Sequence, residues 1–164
     1  MAQIMIAPSK YMQGPGAIRE VGPHVAALGK NAVILGSKSG FASVQEDLEK
    51  ALADAGVKFH YERFMGECSR KEIDRVNAVV KAHGGDVVLA VGGGKCIDAG
   101  KAVAHENKVP VVVVPTIAST DAPCSALAVT YTDDHVFESY YVLPQNPNLV
   151  VVDTEVIARC PARF

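Results

Sequence analysis

The stretch Asp86–Asp98, DVVLAVGGGKCID, decides how the rest of the chain is organised. Its apolar run, Val87–Val91, has the length and composition of a strand buried on both faces, and three glycines follow it. Glycine allows a sharp turn and lets an anion approach backbone N–H groups, while the next helix adds unpaired donors and the positive end of its dipole. Together with the charge of Lys95, this pattern indicates a phosphate-binding loop. A tight turn with no ligand is the alternative.

Two better-known phosphate loops do not fit this spacing. A Walker loop requires glycine where Leu89 stands and Ser or Thr where Cys96 stands, which argues against magnesium-nucleotide chemistry. The dinucleotide fingerprint G-x-G-x-x-G, counted from Gly92, fails because Ile97 occupies the last glycine position. The glycine run therefore indicates a phosphate ligand without identifying it.

Composition limits the class of protein. The chain has 164 residues, and its 49% hydrophobic content is enough for the core of one domain. The 16 basic and 18 acidic residues are spread throughout, so neither a nucleic-acid surface nor a basic membrane face is indicated, and small molecules are the expected partners. The four cysteines form no C-x-x-C pair, and the five histidines lack H-x-x-x-H spacing. With no apparent leader or spanning segment, we expect free thiols, no metal site and a cytoplasmic setting.

Apolar runs alternate with helical patterns along most of the chain, which predicts an α/β fold with a Rossmann-like, doubly wound, mainly parallel sheet. Strands are predicted at Ile4–Ile6, Lys10–Met12, Asn31–Gly36, Val57–Phe64, Val87–Val91, Val111–Val114 and Leu149–Val152. Helices are predicted from Ala17 to a stop at Gly29, around Leu48 up to Gly56, from a Ser69/Glu72 capping box to Gly84, after the glycine run, and from Asp153 through Ala158. An added β-hairpin is predicted from Leu127–Tyr131 and Val136–Val142.

The alternation stops at Pro115–Ser125, PTIASTDAPCS, which is rich in Ser, Thr and Asp and contains two prolines. This composition predicts a polar loop at the carboxyl end of the preceding strand. A second loop follows the strand that ends at Gly36. Because ligands of open α/β sheets bind at the carboxyl ends of strands, both loops are candidates for the binding site.

Three strings carry a family resemblance: GGGKCIDAGKAVAH (92–105), PTIASTDAPCSALAVTYTDD (115–134) and NPNLVVVDTEVIARCPARF (146–164). They closely resemble the glycerol dehydrogenases, a family within the iron-containing alcohol dehydrogenase superfamily, and the resemblance covers essentially the whole chain. It implies an NAD-dependent polyol oxidoreductase of about twice this size, with an N-terminal nucleotide domain and a C-terminal helical domain. On this resemblance, residues 1–164 form one NAD-binding domain, with the helical domain absent.

The resemblance also implies roles for individual residues. It places NAD against Ser37, Gly93, Gly94, Lys95, Cys96, Ile97, Asp98, Thr116, Ile117, Ala118, Ser119, Ser125, Leu127 and Tyr131. Asp121 corresponds to the residue that contacts the hydroxyl groups of glycerol. The simpler interpretation is that these polar side chains stabilise the loop itself, that Asp121 is a cap and that Tyr131 packs within its strand.

Two positions depart from the family pattern. Ser37 stands where an aspartate usually accepts hydrogen bonds from the adenosine ribose, and without that carboxylate the discrimination against the 2′-phosphate of NADP is weaker. Cys96 stands where the family commonly has Thr. A helix N-terminus tends to lower the pKa of a thiol, which makes an oxidation site one interpretation of Cys96; the preferred alternative is an inert helix residue.

Catalysis in the family uses zinc or iron, held by an aspartate and two histidines that correspond to positions beyond Phe164. We therefore expect the NAD-binding half of a glycerol dehydrogenase, inactive alone, from a family that converts glycerol and NAD to dihydroxyacetone and NADH. The alternative is a non-catalytic nucleotide-binding or self-associating module from a truncated gene. An apolar surface left by the missing domain predicts a homo-oligomer. A dehydroquinate-synthase-like lyase fits the string PTIASTDAPCSAL less well.

Overall fold

The computed structural model describes residues 2–164, which contain eight strands and six α-helices. The strands are β1 (Tyr11–Gly14), β2 (Asn31–Gly36), β3 (Lys58–Arg63), β4 (Val87–Gly92), β5 (Val111–Pro115), β6 (Leu127–Tyr131), β7 (Phe137–Val142) and β8 (Leu149–Asp153). The helices are α1 (Gly22–Ala26), α2 (Lys38–Ala42), α3 (Gln45–Asp54), α4 (Arg70–Ala82), α5 (Gly94–Asn107) and α6 (Thr154–Ala158). Short 3-10 helices span Ala17–Glu20 and Ala122–Cys124.

Six of the strands form one parallel sheet in the order β1-β8-β5-β4-β2-β3. The chain leaves β2 towards the edge strand β3, but it leaves β4 in the opposite direction, towards β5. This reversal between β2 and β4 is the topological switch point of a doubly wound sheet. β6 and β7 pair antiparallel outside the sheet. The predicted Rossmann-like fold with an added hairpin is therefore confirmed.

Helices cover both faces of the sheet and enclose two apolar cores. On one face α3 buries Leu48, and on the other α4 buries Ile73. Every residue of β4 is buried, as its apolar sequence predicts. A Cβ on Gly100 of α5 would lie 2.5 Å from the Cβ of Ala90, so this helix packs closer to β4 than a side chain would allow. The helix that follows the glycine run is thereby fixed against a central strand.

Both predicted N-cap residues are in place, but the capping box is only half formed, because the Glu72 carboxylate accepts the N–H of Met65 at 3.0 Å. Ser69 caps α4, since its Oγ accepts the N–H of Glu72 at 3.4 Å. Asp153, only 2% exposed, accepts two backbone N–H groups in the first turn of α6. The same carboxylate accepts the N–H of Gly16 at 3.0 Å and that of Ile18 at 3.1 Å. Asp153 therefore joins the last helix to the first 3-10 helix.

The structure corrects the prediction at three places near the start of the chain. The predicted strand at Ile4–Ile6 is wrong: the segment has no regular secondary structure, and its first two residues are 89% and 94% exposed. The strand predicted from Lys10 begins one residue later and extends to Gly14. The helix predicted from Ala17 is divided into a 3-10 helix and α1, because Pro23 has no N–H and stands at the start of a new helix.

Candidate functional site

The loops that follow β2, β4 and β5 begin side by side at the carboxyl edge of the sheet. The N–H of Ser37 donates to the carbonyl of Val91 at 3.0 Å, and the N–H of Thr116 donates to the carbonyl of Gly92 at 3.0 Å. These bonds extend the strand pairing into the loops on both sides of the glycine run. The loops therefore meet at the switch point, where ligands of open α/β sheets bind.

The polar loop after β5 lies directly against the glycine run. A Cβ on Gly93 would lie 2.8 Å from Cδ1 of Ile117, and a Cβ on Gly94 would lie 2.7 Å from Oγ1 of Thr120. A side chain at either glycine would require Ile117 or Thr120 to move. The structure therefore brings together the glycine run and the loop that the sequence predicted as two parts of one site.

The glycine run leaves the N-terminus of α5 open to an anion. This helix has 14 residues, and its N-cap residue, Gly93, has no side chain to accept hydrogen bonds from the first turn. The N–H of Ile97 donates back to the carbonyl of Gly93 at 3.0 Å. The preceding N–H groups and the helix dipole favour negative charge, and no acidic residue stands in the first turn. This helix end is chemically suited to a phosphate group.

The ammonium group of Lys95 is held on two sides. Its Nζ donates to Oε2 of Glu67 at 2.6 Å and lies 5.4 Å from the ring centroid of Tyr131. Burial raises the pKa of Glu67, but hydrogen bonds from Lys95, His135 and the N–H of Cys68 outweigh burial and leave that pKa below its ordinary value. The Lys95 side chain is 49% exposed, whereas that of Glu67 is 9% exposed. Lys95 is therefore held by a nearly buried carboxylate, while about half of its own side chain remains exposed to solvent.

Lys101 of α5, which the sequence did not single out, fixes the far end of the polar loop. Its side chain is wholly buried, and Nζ lies 2.9 Å from Oδ1 of Asp98 in an ion pair. The Nζ group also donates to the carbonyl of Ala122 at 2.9 Å, to Oγ of Ser125 at 3.2 Å and to the carbonyl of Leu127. One ammonium group thus joins α5, the polar loop and the start of β6.

Asp98 belongs to the same buried network. Its Oδ2 accepts the N–H of Val129 in β6 at 3.1 Å. Burial raises the pKa of Asp98, Lys101 lowers it in part, and the nearby charge of Asp121 raises it further. The carboxylate predicted to contact NAD is therefore directed, in this structure, towards the hairpin and Lys101.

The β6–β7 hairpin is seated on α4 and α5 by a second polar cluster. The hydroxyl of Tyr141 accepts a hydrogen bond from Arg70 and donates to Oε1 of Glu106 at 2.8 Å. Arg70 also donates directly to both oxygens of Glu106, at 2.6 and 2.9 Å, and these bonds are the main reason that the pKa of Glu106 falls to about 2. Closer to the glycine run, the N–H of Tyr131 donates to the carbonyl of Cys68 at 2.9 Å. The hairpin therefore forms one wall beside the open end of α5.

The predicted cofactor and substrate residues differ in how far they reach the surface. Four of them are buried: Cys96, Ile97, Asp98 and Thr116. The others are exposed or partly exposed along the carboxyl edge and the hairpin: Ser37, Gly93, Gly94, Lys95, Ile117, Ala118, Ser119, Asp121, Ser125, Leu127 and Tyr131. The second set therefore supplies the predicted site residues that are accessible to solvent.

The thiol of Cys96 is not activated. The side chain is 2% exposed, and its Sγ lies 3.5 Å from the carbonyl oxygens of Leu35 and Val91. Burial raises the pKa of Cys96 to about 12, so the effect of the helix N-terminus does not prevail. The expectation of a lowered pKa is wrong at this position, and Cys96 is the inert helix residue of the alternative interpretation.

The described residues do not fit a metal ion. Within residues 2–164, no three His, Cys, Asp or Glu side chains are grouped as ligands of one ion. The zinc or iron that the resemblance implies therefore has no ligand set in this part of the structure. Over the same residues, no helix combines the length and the apolar character needed to cross a membrane.

Comparison with known proteins links this geometry to a family. Glycerol dehydrogenase from Escherichia coli O6:H1 is 44% identical over 164 residues, and glycolaldehyde reductase from Halobacterium salinarum is 40% identical over 164 residues. Each match covers 100% of this chain and 45% of the relative, so the chain spans less than half the length of these proteins. The crystal structure of glycerol dehydrogenase from Schizosaccharomyces pombe matches with a TM-score of 0.90 and 35% identity, over 99% of this chain and 41% of that one.

The family model for iron-containing alcohol dehydrogenases matches residues 8–154. This range contains the whole parallel sheet, the glycine run, the polar loop and the hairpin. The likeness thus extends over every element that forms the candidate site and is not limited to one motif. The chain belongs to the iron-containing alcohol dehydrogenase family.

Proposed function

We propose that this chain is the N-terminal, NAD-binding half of a glycerol dehydrogenase. The observation that carries the proposal is the open N-terminus of α5 at the switch point, with the half-exposed ammonium of Lys95 beside it. A pyrophosphate group carries the negative charge that such a helix end favours. The identity of 44% to a glycerol dehydrogenase supports NAD as the ligand and a polyol as the substrate of the longer protein.

In this proposal, different parts of the carboxyl edge bind different parts of the cofactor. The N–H groups that follow Gly93, together with Lys95, bind the pyrophosphate, and Ser37 stands near the adenosine ribose. The partly exposed residues between Ser119 and Tyr131 line the path to the nicotinamide. The bound NAD supplies the hydride acceptor, and the chain orients it and excludes water. Asp121, an exposed carboxylate on the polar loop, is suited to accept hydrogen bonds from polyol hydroxyls.

We further propose that the chain binds NAD without oxidising glycerol by itself. The reaction proposed for the longer protein converts glycerol and NAD to dihydroxyacetone and NADH, and it requires a group that favours the alkoxide of the alcohol. Lys101, which contacts the polar loop, and Lys95, at the start of α5, are both engaged with carboxylates. The family's zinc or iron is therefore assigned to the part of the longer protein that this chain does not span.

The test is a calorimetric titration of the folded chain with NAD, with NADP as the comparison ligand. We expect saturable binding of one NAD per chain. NADP binding of similar strength would assign the loss of discrimination to Ser37, and the substitution Ser37→Asp should then weaken NADP alone. A chain that is folded by circular dichroism and binds neither dinucleotide would contradict the proposal.

A self-associating module is the second candidate function, and the outer face of the hairpin favours it. Val136, Tyr140 and Val142 are 61%, 60% and 79% exposed, and Phe137 beside them is 49% exposed. Exposed apolar groups in one patch mark interaction surfaces, so we propose a homo-oligomer formed through this face. Sedimentation velocity over a wide range of concentrations tests it. A strict monomer would contradict the proposal, and Tyr140→Ser should weaken any oligomer. The four free thiols agree with the reducing cytoplasm proposed as its location.

A further inference from the structure

Glu67, just before α4, is a nearly buried carboxylate at the edge of the proposed nucleotide site. Its side chain is 9% exposed, although the side chain of Lys95, which it contacts, is 49% exposed. Its Oε1 accepts the N–H of Cys68 at 3.0 Å. Its Oε2 lies 2.6 Å from Nζ of Lys95 and 2.5 Å from Nδ1 of His135 at the tip of the hairpin. Donors from three parts of the chain therefore fix both oxygens of this carboxylate.

The contacts of Glu67 in turn fix Lys95. A free lysine side chain samples many rotamers and loses that freedom when it binds a phosphate. Here the ammonium is hydrogen-bonded to Glu67 on one side and lies over the ring of Tyr131 on another, and the Lys95 side chain is 49% exposed. The Lys95 side chain has therefore lost much of its conformational freedom before any ligand arrives, which lowers the entropic cost of binding a phosphate.

We infer that Glu67 is a positioning residue of the nucleotide site, which acts through Lys95 by holding its ammonium group beside the N-terminus of α5. This inference rests on the proposed binding of NAD. Glu67 itself does not touch the nucleotide, because Lys95 stands between the buried carboxylate and solvent.

The negative charge of Glu67 has an opposite effect, since it repels a pyrophosphate. Two observations show whether this repulsion or the positioning of Lys95 has the larger effect on pyrophosphate binding. The carboxylate is paired with an ammonium at 2.6 Å, so most of its field is cancelled, and Lys95 is the more exposed member of the pair, at 49% against 9%. Positioning therefore prevails, and removal of the carboxylate weakens binding. Glutamine at this position has a single acceptor oxygen for three donors, so it cannot retain every contact.

The experiment compares three ligands by calorimetry: NAD, ADP-ribose and adenosine. The proteins are the wild-type chain, Glu67→Gln, Lys95→Met and the double variant. Glu67→Gln should weaken NAD and ADP-ribose about tenfold and should leave adenosine within about twofold, because adenosine has no phosphate for Lys95 to bind. In the Lys95→Met background, the same substitution should change NAD affinity by less than about twofold, because its effect passes through that lysine.

A matched control is present on β3, where Glu62 also lies between a cation and a histidine. Its carboxylate contacts Arg75 and lies 3.4 Å from Nε2 of His60, and Glu62→Gln should leave the affinity for all three ligands unchanged. If Glu67→Gln does not fold, Glu67→Asp keeps the charge but shortens its reach, and it should show the same pattern with a smaller loss.

Three results would overturn the inference while the proposed function stands. They are unchanged or tighter NAD binding by folded Glu67 variants, an equal loss for adenosine, and a full effect of Glu67→Gln in the Lys95→Met background. A folded wild-type chain that binds neither NAD nor ADP-ribose would instead overturn the proposed function, and this inference with it.

Discussion

Replacement of the buried Lys101 by methionine should cost far more stability than replacement of its partner Asp98 by asparagine. Met has a similar length but no charge, so Lys101→Met leaves a carboxylate whose side chain is only 12% exposed without a cation. Removal of one partner from a buried ion pair typically costs about 3–5 kcal/mol when the remaining charge has no other group to compensate it. The carbonyls of Ala122 and Leu127 lose a donor as well. Against a total stability of about 5–15 kcal/mol for a domain, this is a large fraction.

Asp98→Asn is the milder change for two structural reasons. Asn can still accept the N–H of Val129, and Lys101 keeps its carbonyl and hydroxyl acceptors. Because burial raises the pKa of Asp98, its surroundings already disfavour the charged form that Asn removes. We expect a cost of about 1 kcal/mol, in the range of a single hydrogen bond. The double variant should cost less than the sum of the single changes by at least about 1 kcal/mol, because the two groups are in contact.

Urea denaturation followed by circular dichroism measures these differences through the transition midpoint at constant slope. Lys50→Met is a suitable control, since Lys50 is 72% exposed and pairs with Asp54 on the surface of α3. Its effect on the midpoint should be small, because an exposed ion pair contributes little to stability. If Asp98→Asn destabilised the chain as much as Lys101→Met, the assignment of Lys101 as the centre of the network would be refuted. A loss below about 1 kcal/mol for Lys101→Met would refute it equally.

Asp153→Ala should lower the free energy of unfolding by about 3 kcal/mol, because one buried carboxylate accepts four backbone N–H groups. Urea denaturation measures the loss, and a value below about 1 kcal/mol would contradict the prediction. Cys96 should react with a thiol reagent far more slowly than exposed Cys124 in the native chain, and equal rates in single-cysteine variants would show that Cys96 is accessible. The lowered pKa of Glu106 contributes stability that is complete above its unfolded pKa near 4.5 and is lost as pH falls towards 2. In Glu106→Gln, the free energy of unfolding should therefore fall by about 2 kcal/mol less between neutral pH and acid than it does in the wild-type chain. An unchanged pH dependence would contradict this.

The sequence predicts the strands of the sheet well and the elements outside it less well. The runs Val87–Val91 and Val111–Val114 are apolar at every position, which only a strand covered on both faces requires, and both are strands within one residue of the predicted bounds. Ile4–Ile6 has a similar composition, but it is exposed and forms no strand. The composition of a segment indicates its tendency to form a strand, whereas strand pairing depends on a second segment, which can lie far away in the sequence. The five-residue helix α2 is too short for its period to be recognised.

In the candidate site, too, some parts can be predicted from the sequence and others cannot. The glycine run and the polar loop are visible in the sequence because their chemistry is local. Glu67 and Lys101 are not, because their contacts join positions far apart: Glu67 meets Lys95 and His135, 28 and 68 residues along the chain. A charged residue usually indicates a solvated surface. The one local signal for Lys101 is its position in AGKAVA, among small and apolar residues that predict a buried helix face.

The hairpin and the phosphate-binding end of α5 depend on the same helices. A two-stranded hairpin is at best marginally stable alone, and most of β7 is exposed, so β6–β7 owes its position to outside contacts. Asp98 and Lys101 of α5 hold the main chain of β6, while Arg70 of α4 and Glu106 of α5 hold Tyr141. The hairpin tip returns to Lys95 through His135 and Glu67. Because each contact leads back to α4 or α5, a change that loosens the hairpin also releases the ammonium group beside the helix N-terminus. The buried charges thus stabilise the wall of the site and its phosphate-binding end together.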